Sequence, residues 1–501
     1  MPIKRVWAPQ IDFSVLRREL RLPGEFPAEA MAEAAAAAAS PPRPVTDLTE
    51  VPFVTIDPAT SRDLDQAMHL GRRAGGGYRV RYAIADVASF VRPGGALEVE
   101  TWVRGQTVYL PDGRIPLHPE VLGEGAASLL PDGDRAAVVW TIDLDADGEI
   151  AGIALERALV RSRAKLDYEG VQRQVDAGTA PEPVALLPEL GRLLAERAAA
   201  RGAVNLPLPE QELERDGEGW RLVLRAPLPV EEHNAQISLL TGVAAATLML
   251  RGRIGLLRTM PAARPEAVAK LRAAAASLGV TWPAGAAVGA VVAAADPASP
   301  RGAAFLDQAA ELLRGAAYTP FDGDPPAETG HGGVGAPYAH VTAPLRRLAD
   351  RYATEVCLAL AAGTEVPGWA REALPRLPKA MGDSDRLAGS ATRGAIDLAE
   401  AVLLHRRVGE SFDAGVVDRD EPRGNRPPGG TVALDDPAVR ARCLGDLPLG
   451  ERIRARLTVA DPAARRVEFE LMHAEPASRE PVDREPVNGE RSGEGPATLA
   501  G

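Results

Sequence analysis

The sequence predicts an α+β fold followed by a small OB-type β-barrel. Three features predict it. Short β-branched and apolar runs bounded by Gly and Asp turns fill residues 49–160. Helical periodicity dominates from about residue 183. Short strands then return over residues 409–473, at the spacing of a small closed barrel.

The elements follow in chain order. Residues 1–48 read as two short helical pieces and a linker, with Ser14 capping "VLRREL" and Pro27 opening an Ala-rich helix. "SPPRPVTD" breaks that helix. "VPFVTID", "YRVRYAIADVASFV" and "AAVVWTIDLDADGEIAGIALERALV" read as strands. Within the last, "DLDADGEI" (143–150) starts like a calcium loop, but position twelve would be Ala154, so a hairpin turn is expected. "PVALLPELGRLLAERAAARG", "HNAQISLLTGVAAATLML", "PEAVAKLRAAAASLG", "LRRLADRYATEVCLALAAG" and "AIDLAEAVLLHRRVG" read as helices. "ESFDAGVVD", "GTVAL", "ERIRARLTVAD" and "RRVEFELMH" supply the barrel strands. The expected domains are a helical extension (1–48), a large domain (49–405), the barrel (406–473) and a disordered tail (474–501), which has almost no apolar content.

With 501 residues the chain is too long for one core. Its apolar fraction of 46% and mean hydropathy of −0.10 are those of a globular protein. The formal charge is −12, so any nucleic-acid site must be a local basic groove in an acidic shell. Lysine is nearly absent, and almost all positive charge is Arg. Cys357 and Cys443 fit neither a disulfide framework nor a metal spacing. The N-terminus shows no signal-peptide core, and no window is expected to span a membrane. A cytoplasmic protein without membrane partners is the expectation.

The chemistry concentrates in "TIDPATSRDLDQAMHL" (55–70), where Asp57, Asp63 and Asp65 follow an apolar run. Crowded carboxylates repel unless a cation lies between them. Mg²⁺ prefers carboxylate oxygens, and two ions about 4 Å apart can clamp both oxygens of a phosphodiester displacement. A solvated acidic turn is the competing reading. "VYLPDGRIPLHP" (108–119) and "HVTAPLRRLADRY" (340–352) accompany the cluster. Together with "YAIADVASFV", "LDYEGVQ" and "SATRGAIDLAE", these motifs resemble the RNB catalytic domain of the ribonuclease II and ribonuclease R family, over roughly residues 50–405.

That resemblance implies a mixed sheet and helices around an RNA channel. It also implies Mg²⁺-dependent 3′-to-5′ hydrolysis of single-stranded RNA to nucleoside 5′-monophosphates, with one or two Mg²⁺ ions, or Mn²⁺ as substitute. Asp57, Asp63 and Asp65 match three of the family's four metal-site aspartates. Gln66 stands at the fourth and brings no charge. Arg346 matches the arginine that stabilises charge on the phosphate, with Arg347 beside it; Pro344 would suit the first turn of a helix there. His340 and Thr342 match the segment leading to it. Tyr109 matches a tyrosine that stacks on RNA near the 3′ end, and Tyr168 one near the RNA backbone. The run "RSRAKLDY" could line the channel, and Glu231 and Glu232 either approach the sugar or cap a helix. The family's two cold-shock-type domains have no counterpart in residues 1–48. Two rival readings remain: an RNB-fold RNA binder weakened by Gln66, in which Asp at 66 would restore cleavage, and a nucleotide-sugar transferase using Asp63-Leu64-Asp65, which leaves Arg346 and Tyr109 idle.

Overall fold

The computed structural model describes residues 11–472, apart from 207–209, 217–218, 298, 421–426 and 435. The tail expected to be disordered, 474–501, lies outside the described residues.

Two helices open the described chain, α1 (Ser14–Glu19) and α2 (Ala28–Ala39). Ser14 does not cap α1: it is the first helical residue, and Asp12 Oδ1 accepts its N–H at 2.8 Å. Asp is as good a cap as Ser and here stands two residues earlier. The strands β1 (Thr46–Asp47), β2 (Phe53–Ile56), β3 (Gln66–Arg72) and β4 (Tyr78–Ala85) follow, then α3 (Ala96–Arg104) and the small hairpin β5 (Val108–Leu110) and β6 (Gly113–Ile115). The long hairpin β7 (Asp134–Leu144) and β8 (Ile150–Leu166) turns where the calcium-like stretch lies, as a turn. The main sheet runs β1-β8-β2-β3-β4-β7. The 17 residues of β8 pair first with β7 and then with β2, which curls the sheet onto itself.

Helices α4 (Tyr168–Asp176) and α5 (Leu187–Ala200) cover one face. A hairpin that the sequence reading did not include, β9 (Glu210–Asp216) and β10 (Gly219–Arg225), comes next. Its signal was available: the mostly apolar run 220–224 follows the Gly-containing turn sequence 216–219. Then come α6 (Pro229–Gly252), β11 (Ile254–Thr259), α7 (Pro265–Leu278), α8 (Val288–Ala293), α9 (Pro300–Ala310) and β12 (Ala317–Asp322). By length and composition α6 could cross a membrane, with a hydropathy of 1.2 over its most apolar window, contrary to the sequence expectation. Here it packs against α5, α10 and β11 instead. Short strands β13 (Gly330–His331) and β14 (Ala336–Pro337) precede α10 (Leu348–Ala362), α11 (Gly368–Ala373) and α12 (Leu377–Leu404). Because α10 begins at Leu348, Pro344 and Arg346 lie in the turn before the helix, not in its first turn.

The C-terminal unit is a closed five-stranded barrel, β15 (Ser411–Arg419), β16 (Gly429–Leu434), β17 (Arg440–Leu444), β18 (Arg452–Asp461) and β19 (Arg466–Leu471), in the order β15-β16-β17-β19-β18. Its core holds Phe412, Val432, Leu457 and Phe469. The fold class is therefore the mixed α/β domain with a terminal OB-type barrel that the strand and helix patterns indicate. Cys357 and Cys443 are both buried and free.

Candidate active site

The acidic loop between β2 and β3 is shaped by its one apolar member. Leu64 is fully buried, and its N–H donates to Ser128 Oγ at 2.9 Å. Lys165 Nζ donates to the carbonyls of Ala59 and Ser61, holding the loop from below. With Leu64 pointing into the core, Asp57, Asp63, Asp65 and Gln66 all line one cavity of 880 Å³. Tyr109, Arg114, Tyr168, Asn234 and Arg346 line it too.

Two of these carboxylates are desolvated against their electrostatic interest, Asp65 buried and Asp57 half-buried. Burial pushes Asp57 up to about 7, and Arg346 opposes the rise. Burial pushes Asp65 up to about 8, against Arg346 and the Leu345 N–H, which Asp65 Oδ1 accepts at 2.7 Å. Arg346 Nε lies 3.5 Å from Asp65 Oδ2, and its side chain stays 46% exposed, open to the cavity. Asp63 is differently placed. Arg114 Nη1 donates to its Oδ1 at 2.5 Å while the same guanidinium pairs with Glu124. The Tyr109 hydroxyl approaches Asp63 Oδ2 at 3.4 Å, with its ring 49% exposed. Gln66 is tied at both ends: Nε2 donates to the Thr342 carbonyl at 2.5 Å, and Oε1 accepts from the Tyr82 hydroxyl at 2.7 Å.

The turn that carries Arg346 is held from every side. Asp350, fully buried, accepts the Ala343 N–H at 2.7 Å and a forked pair from Arg347 at 3.0 and 2.9 Å. His118 Nδ1 donates to the Leu345 carbonyl at 3.0 Å, and burial pushes this imidazole down to about 4, so it stays neutral. The Arg346 carbonyl accepts from Thr107 N–H at 3.0 Å.

The structure separates the sequence candidates. Asp57, Asp63, Asp65, Gln66, Tyr109, Tyr168 and Arg346 meet in the cavity. Arg347, His340 and Thr342 do not line it. Arg347 serves Asp350. His340 Nδ1 bonds the Tyr318 hydroxyl at 2.7 Å between two tyrosine rings, and burial keeps it well below the usual imidazole range. Thr342 is buried, with its hydroxyl 2.9 Å from that of Ser238. In the basic run before Tyr168, Arg161 and Arg163 turn elsewhere, to Asp134 and the Thr49 carbonyl, while Lys165 holds the acidic loop. Glu231 caps α6, accepting the Leu228 N–H at 3.1 Å, and still lines the cavity; Glu232 does not.

Sequence reasoning missed Arg114, His118, Asn234 and Asp350. Arg114 and His118 lay inside a quoted motif without a role, and Asp350 stands at i+3 from Arg347, the spacing of a helical ion pair. Asn234 donates to the Tyr168 hydroxyl at 3.3 Å, while its Oδ1 is buried without a partner among the described residues.

The donor set suits Mg²⁺. No three acidic, His or Cys side chains among the described residues converge as a closed metal cage. Mg²⁺ does not need one: it is commonly held by one or two carboxylates together with substrate phosphates and water. Asp57, half-buried, and Asp65, buried, are two such carboxylates with too little positive charge beside them.

A curled sheet with carboxylates at its strand end, an arginine turn opposite and a terminal barrel defines the class. The chain belongs to the RNB domain family, whose profile matches residues 45–360; residues 410–472 match the RNase II-type exonuclease C-terminal S1 domain. Ribonuclease R of Escherichia coli (strain K12) is 27% identical over 490 residues, covering 86% of this chain and 58% of the relative. The chain thus spans little more than half the length of that relative. The exosome complex exonuclease RRP44 of Homo sapiens is 32% identical over 176 residues, 34% of this chain and 18% of RRP44. The fold is shared with Mycoplasma genitalium RNase R in complex with ribose methylated single-stranded RNA, at TM-score 0.79 and 19% identity over 92% of this chain and 77% of that one. Yeast Ssd1, a pseudonuclease, shares it at TM-score 0.64 and 17% identity, over 89% and 54%.

Proposed function

We propose that this chain is an Mg²⁺-dependent hydrolytic exoribonuclease that shortens single-stranded RNA from its 3′ end and releases nucleoside 5′-monophosphates. One observation carries the reading: a buried carboxylate, Asp65, and a half-buried one, Asp57, face one cavity beside a half-exposed arginine. A cation held by Asp57 and Asp65 would supply Lewis-acid polarisation of the scissile phosphate. Arg346 donates to the phosphate oxygens as negative charge builds on them, and its held turn keeps the guanidinium aimed before substrate arrives. Tyr109 offers an exposed ring face to a terminal base, which suits an enzyme that must pass every base. Tyr168 and Asn234 Oδ1, the latter unpartnered among the described residues, are both at the cavity and offer polar groups to a ribose hydroxyl.

A second reading, an RNA-binding relative with little turnover, draws on Gln66 and Asp63. Both are already engaged by protein partners, which leaves two carboxylates for metal.

End-labelled single-stranded RNA is incubated with protein and Mg²⁺, with and without chelator, alongside Asp65→Asn. Mononucleotide release is expected from the parent with Mg²⁺ only, and at least about 100-fold more slowly from the variant. Release that survives both chelation and the substitution refutes the metal-site reading. Tight RNA binding with no release in Mg²⁺ selects the second reading.

A further inference from the structure

A second groove, of 860 Å³, lies against the catalytic cavity and shares Arg114 with it as a common wall. It is formed by α1, the residues linking α1 to α2, and the stretch that follows β6. Its floor is apolar, with Phe26, Met31, Pro116 and Val121 among the lining side chains, and Met31 and Val121 are 43% and 40% exposed. Five arginines line it (Arg17, Arg18, Arg21, Arg104 and Arg114) against two glutamates, Glu25 and Glu120. Arg17, Arg104 and Arg114 are each paired with acids (Asp112, Glu100, and Asp63 with Glu124), so the open positive charge of the groove is that of Arg18 and Arg21.

The groove is preformed. Arg17 forks onto Asp112 at the tip of the β5–β6 hairpin, at 2.6 and 2.8 Å. Phe13 and Leu16 pack with Val108 and Leu110 of β5. Arg104 stacks 3.6 Å from the Phe26 ring centroid and donates to the Gly24 carbonyl at 2.7 Å. Two arginines are left over. Arg18 makes one hydrogen bond, to Ser14 Oγ at 3.3 Å. The Arg21 side chain makes no hydrogen bond or ion pair among the described residues, and both arginines are exposed. By contrast, four arginines of the barrel are consumed: Arg454, Arg456, Arg465 and Arg466 pair with Asp413, Glu470, Glu19 and Glu468.

We propose that this groove binds the stretch of single-stranded RNA lying 5′ of the nucleotide held in the catalytic cavity. Arg18 and Arg21 contact phosphates, and the apolar floor takes base faces. Open guanidinium groups beside apolar surface are what a sequence-tolerant single-strand site requires. Continuity through Arg114 with a cavity that itself fits a phosphate ester favours RNA over a protein ligand. The inference rests on the proposed function for the direction in which RNA lies.

The test measures binding rather than cleavage. Fluorescence anisotropy in chelator compares RNAs of about five and about twenty nucleotides on the parent chain and on Arg18→Ala/Arg21→Ala. The expected result is about tenfold weaker binding of the long RNA by the variant and short-RNA affinity within about twofold. The slope of log affinity against log salt should also fall by about 1.4 for the long RNA, at about 0.7 per lost phosphate contact. Unchanged long-RNA affinity, or equal weakening of both lengths, overturns the proposal. A groove-dependent length preference without nucleotide release in Mg²⁺ supports the groove while refuting the nuclease reading.

Discussion

Gln66 shows how a single side chain can read differently in sequence and in space. By position it is a lost carboxylate. In the fold it is a two-ended tie whose amide N–H groups hold the Thr342 carbonyl, a role no carboxylate can fill. Asp at 66 brings a shorter side chain without a donor, facing a half-buried carbonyl and two further acids. Gln66→Asp is therefore expected to cost about 1–3 kcal/mol of metal-free stability, from the unsatisfied carbonyl and added like charge. Urea unfolding in chelator measures this, and an unchanged midpoint would show the tie to be idle. Arg114 reads similarly. It is one more arginine in an arginine-rich sequence, yet the fold makes it the partner of both Asp63 and Glu124.

At the scale of elements, the site depends on how closely α6 approaches the segment before the arginine turn. Gly242 sits inside α6, where Gly costs about 1 kcal/mol relative to Ala, so its presence needs a cause. A Cβ there would meet Tyr338 Cε2 at 2.1 Å and the Ala339 carbonyl at 2.6 Å. The Ala339 N–H donates to the Gly242 carbonyl at 3.1 Å. Gly242→Ala should destabilise by about 1–3 kcal/mol through overpacking. Because segment 338–342 leads directly to Thr342 and Arg346, turnover should fall in the surviving folded fraction as well. Thermal melting and nucleotide release on the same preparation separate the two effects.

For the whole molecule, the desolvated acids couple stability to pH and to cation. Asp57 and Asp65 keep their protons up to about pH 7 and 8 in the folded chain but release them near the ordinary carboxylate value when unfolded. Between those values the folded state binds more protons, so these two groups lower metal-free stability as pH rises through that window. A bound cation replaces the protons, and its affinity rises with pH. The melting temperature should therefore gain little from Mg²⁺ at about pH 5.5 and clearly more at about pH 8.5. At a hundredfold excess over Kd the gain corresponds to about 2.7 kcal/mol. A pH-independent Mg²⁺ effect would mean that the ion binds elsewhere.

The sequence alone determined what depends on near neighbours. Apolar alternation marks the sheet and most of the barrel strands. The crowding of Asp57, Asp63 and Asp65 within nine residues marks the acidic loop. The acidic cluster singles out Asp57 and Asp65, and the family resemblance its motifs carry names Tyr109, Tyr168 and Arg346; all five do meet. Tertiary structure decided what depends on distant chain closure. Gln66 finds its partner 276 residues away, and Asp65 finds Leu345 280 residues away. His340 and Arg347 stand beside the motif but are turned inward, to Tyr318 and Asp350. Strand and helix periods are properties of short windows, whereas desolvation and pairing of a charge depend on everything folded around it.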